Sequence, residues 1–125
     1  MIHTFDVDIA EATDEFGTSC QRLIPWATPA DETPFGAMAC FLSAGTRSAP
    51  DCHDQDEIIL ILRGEAEVRV GDDTVAVTPG RFAFLPRNQT HVVVNTSTTD
   101  QLAWLSLYWP LHEPRPAPSV EPLDG

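Results

Sequence analysis

Four side chains in the middle of this chain are of types that bind divalent cations. Asp51, His53 and Glu57 lie at intervals of two and four residues inside the run GTRSAPDCHDQDEIILILRG, from Gly45 to Gly64. On an extended backbone side chains alternate faces, so Asp51 and His53 point the same way, and Glu57 keeps that parity if the chain stays extended. Such a triplet closes around one ion when a further ligand arrives from elsewhere, and His91 is the candidate. Two imidazoles and a carboxylate form the facial set that suits non-haem Fe(II), with positions left open for substrate. The same donors also suit Zn(II), Mn(II) or Ni(II). Asp51 adds a hard oxygen donor: it either completes a set of two imidazoles and two carboxylates, or stays free as a hydrogen-bond acceptor or general base. The plainer alternative is that His91 only pairs with Asn95 in a β core. Against it, bringing these four groups together away from water without a cation is costly.

The elements that must position these groups read as strands. FGAMACFLSAG alternates Met38, Cys40 and Leu42 with Ala39, Phe41 and Ser43 before Gly45. Ile58 to Leu62 is apolar on both faces and rich in β-branched residues, which predicts a strand covered on both sides. EAEVRV turns Ala66, Val68 and Val70 inward, Gly71-Asp72-Asp73 makes a hairpin turn, and TVAVT returns. After Pro79-Gly80 comes RFAFLP, a strand stopped at Pro86, then HVVVN with His91, Val93 and Asn95 on one face. QLAWLSLYW is the last strand, again apolar on both faces, with Trp104, Ser106 and Tyr108 sharing one of them. Phe82 and Phe84 share a face of the earlier strand and are expected inside. Nearer the start, Arg22 to Trp26 reads as a strand, Glu11 to Phe16 as one helical turn at most, and residues 27–34 as an exposed loop. Short strands with Gly or Pro turns and no helices predict an all-β sandwich or barrel over residues 1–110. Residues 111–125, with Pro114, Pro116, Pro118 and Pro122, read as an extended or disordered tail.

A chain of 125 residues makes one domain. Seven Arg and no Lys against 19 acidic residues give a formal charge of -12. Binding to phosphate backbones or anionic membrane surfaces needs clustered cations, so neither nucleic acid nor membrane is an expected partner. No apolar run approaches the roughly 18 residues of a membrane-spanning helix, and the start, MIHTFDVDIA, has no basic leader region. Cys20, Cys40 and Cys52 are odd in number and widely spaced, unlike a disulfide framework, so a reducing cytoplasmic setting is expected. Cys52, between two inward positions, should face away as a small apolar filler. His3 and His112 are expected in solvent.

Residues 45 to 95 resemble the two motifs of the cupin superfamily. Its first motif runs Gly, five residues, His, one residue, His, three or four residues, Glu, six residues, Gly. Here Gly45 is followed at the same spacings by Asp51, His53, Glu57 and Gly64, with Asp51 in place of the first His. The second motif has a Pro and Gly turn, a Pro, four residues, His, three residues, Asn. Pro79-Gly80, Pro86, His91 and Asn95 match it with a shortened turn. The resemblance implies a double-stranded β-helix, or jelly-roll, barrel with both motifs directed into one open mouth. It implies His53, Glu57 and His91 as metal ligands, with Asp51 where a fourth would stand.

The expected activity is that of a metal-dependent cupin enzyme acting on a small oxygenated organic molecule. Fe(II) would suit dioxygenase chemistry; Zn(II) or Mn(II) would suit isomerisation or cyclisation. Glu57 serves catalysis as a ligand, Asp51 as the proton acceptor if it is free, and Tyr108, with Gln55 and Arg47, as a substrate contact. The alternative is a non-catalytic cupin that binds a sugar or small metabolite. A homodimer is expected, because strands apolar on both faces leave surface that a second copy covers.

Overall fold

Alternating patterns of the kind just described become two facing antiparallel sheets. The computed structural model describes residues 2–27 and 33–111. Among them, one turn of 3-10 helix at Ile9–Glu11 precedes nine strands. These are β1 Thr13–Glu15, β2 Thr18–Ile24, β3 Gly36–Leu42, β4 Asp56–Arg63, β5 Ala66–Val70, β6 Asp73–Val77, β7 Phe82–Leu85, β8 His91–Asn95 and β9 Leu102–Trp109. Six of them form a sheet in the order β1-β2-β3-β9-β4-β7, and three form a sheet in the order β6-β5-β8. This is the jelly-roll arrangement. No helix among the described residues is long and apolar enough to cross a membrane.

Register decides which side chains meet. Partners across an antiparallel pair share a face, so successive pairings trace rows across the large sheet. One inner row runs Cys20, Cys40, Trp104, Ile61. The next runs Arg22, Met38, Ser106, Ile59, Ala83, and the one beyond it Gly36, Tyr108, Glu57, Leu85. The small sheet answers with Ala66, Val68, Val77 and Val93, and these close the core with Leu42, Ile59, Ile61, Leu85, Leu102 and Trp104. The apolar packing fills one part of the barrel; the polar groups Glu57, His53 and His91 lie buried beside it.

The opposite face of the large sheet is only partly covered. Leu23, Ala37, Ala39, Phe41 and Ala103 pack there with Ala12 and Ile24. The N-terminal segment is pinned over this face by Gln21, whose Oε1 accepts from the Asp8 N–H (2.9 Å) and whose Nε2 donates to the Asp6 carbonyl (2.8 Å). Towards β7 the cover ends.

Several expectations change. The strand expected at Arg22 to Trp26 begins earlier and stops at Ile24, because Pro25 lacks the N–H to continue the ladder. Glu11 to Phe16 is the end of a 3-10 turn followed by β1 and a tight turn, with Phe16 at φ 55°. Within the single chain the β4 run is buried on one side, with Ile59 and Ile61 inside and Leu62 46% exposed, so of the two covers expected for its other side, a second sheet or a partner subunit, the sheet is not there among the described residues. Phe82 and Phe84 do not line the interior; they are 56% and 53% exposed, because register with Leu60 and Ile58 places them on the outer face. Cys52 faces away as expected, into solvent and not as a packing filler. His3 is exposed, while His112 and the Pro-rich segment from 112 onward lie outside the described residues.

Candidate metal centre

β8 and the segment leading into β4 bring the polar groups together. Asp51 and His91 form an antiparallel bridge outside the main ladders, with Asp51 N–H donating to His91 C=O (3.1 Å) and His91 N–H to Asp51 C=O (2.8 Å). This pair of hydrogen bonds ties the first-motif segment directly to β8, so the shorter Asp side chain is brought close by its backbone. Alternation then sets His53 on the same side as Asp51, and β4 carries Glu57 onto the inner row beside Tyr108. The ligand-capable atoms of Asp51, His53 and His91 all lie within 4.8 Å of one another.

Glu57 stands outside that mutually close set of three but touches both imidazoles. Its Oε1 is 3.0 Å from His53 Nε2 and 3.8 Å from His91 Nε2. Asp51 Oδ2 is 4.0 Å from His91 Nε2. The two rings stand edge to face, centroids 5.1 Å apart and planes at 74°. Donors that share one cation at about 2.0–2.2 Å stand roughly 3–4 Å from each other. The separations of 3.0, 3.8 and 4.0 Å fall in that range, so the donor set fits a divalent ion.

Proton placement supports the same fit. His53 Nδ1–H donates to the Gln55 carbonyl at 3.0 Å. That bond leaves Nε2 of the neutral ring as a lone pair facing the Glu57 carboxylate, an arrangement that requires either a proton or a metal ion between them. Burial works against the charged imidazolium, but the hydrogen bond and charge of Glu57, the charge of Asp51 and the Gln55 carbonyl outweigh it, so the His53 pKa is raised. Burial pushes the Asp51 carboxyl up, and the charge of Glu57 adds to this; His91, His53 and the Cys52 N–H pull the other way. Tyr108 is raised well above the ordinary phenol range, mainly by burial, and is therefore a neutral donor.

The remaining expected contacts divide. Tyr108 is 8% exposed and follows Ser106 on the inner face. Gln55 is buried, and its amide donates to the Pro110 carbonyl (3.0 Å), so it latches the end of β9 to the loop before β4. Arg47 is exposed and bridges to Val94 through its backbone. Asn95 makes no pair with His91. Its Nδ2 donates to the carbonyls of Leu42 (3.1 Å), Ser43 (3.2 Å) and Asp100 (2.8 Å), and its Oδ1 accepts from Ser97 N–H (3.1 Å). Arg22, which the sequence did not single out, lies on the inner row, bonded to Glu15 Oε1 at 2.5 Å and stacked 5.0 Å from the Trp26 ring. Parity on β2 would have revealed it, had the strand been started at Thr18.

The family profile described as Cupin domain matches residues 39–108. That span holds the whole of the first motif, the second motif and nearly all of β9. The chain belongs to the cupin family. Two solved structures share 26% identity with it at a TM-score of 0.77: the plu4264 protein of Photorhabdus luminescens, covering 87% of this chain and 88% of that one, and a Cupin 2 conserved barrel domain protein of Salinispora arenicola, covering 87% and 89%. KdgF from Halomonas sp. is similar in fold at 19% identity and a TM-score of 0.67, covering 87% of this chain and 96% of that one. No curated protein matches the chain.

Proposed function

We propose that this cupin is a cytoplasmic metal-dependent enzyme acting on a small oxygenated organic molecule. The observation that carries the reading is the convergence of Asp51, His53 and His91 within 4.8 Å, with Glu57 bonded to His53 beside them. His53, His91 and Glu57 would hold the ion, Fe(II) before Zn(II), Mn(II) or Ni(II), and Asp51 would join them or act as the base. A divalent ion held there supplies Lewis-acid activation of a substrate oxygen, and, if it is Fe(II), oxygenase chemistry. The protein's own part is to fix both rings, through the Gln55 carbonyl at His53 and the Asp51 bridge at His91, and to surround them with an apolar barrel that excludes water. Asp51 is the group best placed to take a proton: it is less buried than the other three, and burial raises its carboxyl towards the range useful to a base. Three free cysteines agree with a reducing compartment.

Elemental analysis of untagged protein tests the reading. The wild type should hold close to one first-row metal per chain, and His53→Ala and His91→Ala should lose it. If the wild type holds none even after anaerobic reconstitution with Fe(II), the enzyme reading falls. An Asp51→Asn variant that keeps full metal affinity but loses activity assigns Asp51 as the base; a variant that loses the metal assigns Asp51 as a ligand.

One observation favours a second reading. Protonated His53 and Glu57 satisfy each other without an ion, and no buried side-chain nitrogen or oxygen among the described residues lacks a partner. A metal-free cupin that binds a sugar or small metabolite in the same mouth would look like this. The reconstitution experiment separates the two.

A further inference from the structure

Six of the chain's arginines fall in the described residues, and Arg22 alone among them belongs to an inner row. Arg47 and Arg81 are exposed in loops, Arg63 bonds Gln101 at the surface, Arg69 lies between the inward Val68 and Val70, and Arg87 pairs with Asp54 and Asp56. In a chain of net charge -12, a cation facing the interior is unusual enough to need a reason.

Two neighbours hold the Arg22 guanidinium in place. Its side chain is 15% exposed, one Nη2–H donates to Glu15, and the face of the guanidinium lies over Trp26. Among the described residues the guanidinium donates to Glu15 alone, through one of its five N–H donors. The neighbouring row begins at Gly36, opposite Tyr108. A Cβ at Gly36 would stand 2.5 Å from Tyr108 Cε2 and 2.7 Å from its Oη, so the ring lies across β3, directed towards β2. Tyr108 is more than nine-tenths buried. On the other side of Tyr108 stands Glu57, the paired residue on β4. Arg22, Tyr108 and Glu57 thus descend across one inner face from β2 to the metal cluster.

We propose that Arg22 and Tyr108 together bind the carboxylate of a small organic acid whose second oxygen is directed at the Asp51, His53, Glu57 and His91 cluster. The inference rests on the metal-centre reading for the role of that second oxygen, and not for the carboxylate site itself. A guanidinium presents parallel N–H donors that match a carboxylate, and the phenol supplies a further donor. A phosphate dianion fits poorly: Glu15, Glu57 and Asp51 all face the same interior, and one arginine already shared with Glu15 balances one negative charge better than two. Size follows from the sheet. β2 and β4 are three strand spacings apart, about 14 Å, and the Arg and Glu side chains both reach into that span, so an acid that bridges them has a short carbon chain.

The test is direct binding, followed by tryptophan fluorescence because Trp26 stacks on Arg22. Pyruvate, acetoacetate and levulinate, whose keto oxygens lie progressively farther from the carboxylate, are titrated into the metal-loaded and the metal-stripped protein. Acetoacetamide and inorganic phosphate serve as comparisons. At least one acid should bind the wild type, and about 10- to 100-fold more weakly to Arg22→Gln, the loss expected for a charge-assisted pair. Tyr108→Phe should weaken it about 10-fold, Arg22→Lys should fall between wild type and Arg22→Gln, and Arg69→Gln, on the outside, should not change it. If Arg22→Gln does not fold by its thermal transition, Tyr108→Phe and the acetoacetate to acetoacetamide ratio decide. The proposal is overturned if no acid binds, if acetoacetamide equals acetoacetate, if phosphate binds more tightly than every acid, or if both variants bind like the wild type. Arg22-dependent binding to a protein that takes up no metal would remove the metal-centre reading and leave this one standing. Metal uptake with binding indifferent to Arg22 would do the reverse.

Discussion

His53 is held between two acceptors of different kinds, and its titration follows from that. The Gln55 carbonyl takes Nδ1–H, while Glu57 faces Nε2 at 3.0 Å. In the metal-free protein the raised His53 pKa means the folded state holds its proton more firmly than the unfolded chain, whose imidazole titrates near 6.5. This contribution to stability is fully present below the unfolded pKa and is lost as pH rises through the higher folded value. Metal uptake should have the opposite dependence, because the ion displaces that proton: affinity rises with pH through the folded His53 pKa and levels off above it. Calorimetric titration of Zn(II) in two buffers of different ionisation enthalpy should therefore show proton release on binding, and more of it at pH 6 than at pH 8. Gly36→Ala offers a separate check. The new methyl group meets the Tyr108 ring below contact distance, so the ring must move, at about 1–3 kcal/mol read by urea unfolding.

At the level of the strands, Asn95 ends β8 by serving three other segments. It is 1% exposed and satisfies carbonyls at the end of β3 and before β9, along with an N–H in the turn that leads there. Asn95→Ala would leave those groups without partners inside the protein, at about 2–4 kcal/mol. Asn95→Asp keeps the acceptor for Ser97 but brings a charge against three carbonyls, and should be no better. Because His91 begins the strand that Asn95 ends, both variants should also weaken metal binding. The pattern of Asn95 was legible as an inward position, yet its partners were not, since they lie 52 and 53 residues away in sequence at Ser43 and Leu42. Most of the strands from Gly36 onward were readable from alternation and turn residues. Of the N-terminal strands only the end of β2 was: β1 and the start of β2 carry mixed polar sequences whose strand character comes from pairing, β1 with β2 and β2 with β3.

For the molecule as a whole, the outer face near β7 sets the next expectation. Leu105, Leu60 and Phe82 form one outward row and Leu107, Ile58 and Phe84 the next, at an edge where β7 pairs with β4 alone. Phe84 and Trp109 approach at 6.5 Å between centroids. We propose that a second copy of the chain covers this face, consistent with the half-exposed Leu62, Phe82 and Phe84. Light scattering at micromolar concentration should report a dimer for the wild type and a monomer for Phe82→Asp combined with Phe84→Asp. A monomeric wild type would discard the idea. This outer face is opposite the Asp51, His53 and His91 cluster, so those variants should not change metal uptake.

The local pattern of residues determined the strands from β3 to β9, the inward parity of His91, Val93 and Asn95, and the identity of the groups able to hold an ion. It did so because strand side chains alternate with a period of two, and because motif spacing is a property of the chain itself. What the tertiary structure decided depends on register between segments far apart in sequence. Register placed Asp51 against His91, turned Phe82 and Phe84 outward, gave Asn95 to the backbone, and put Arg22 on the same inner face as Tyr108 and Glu57.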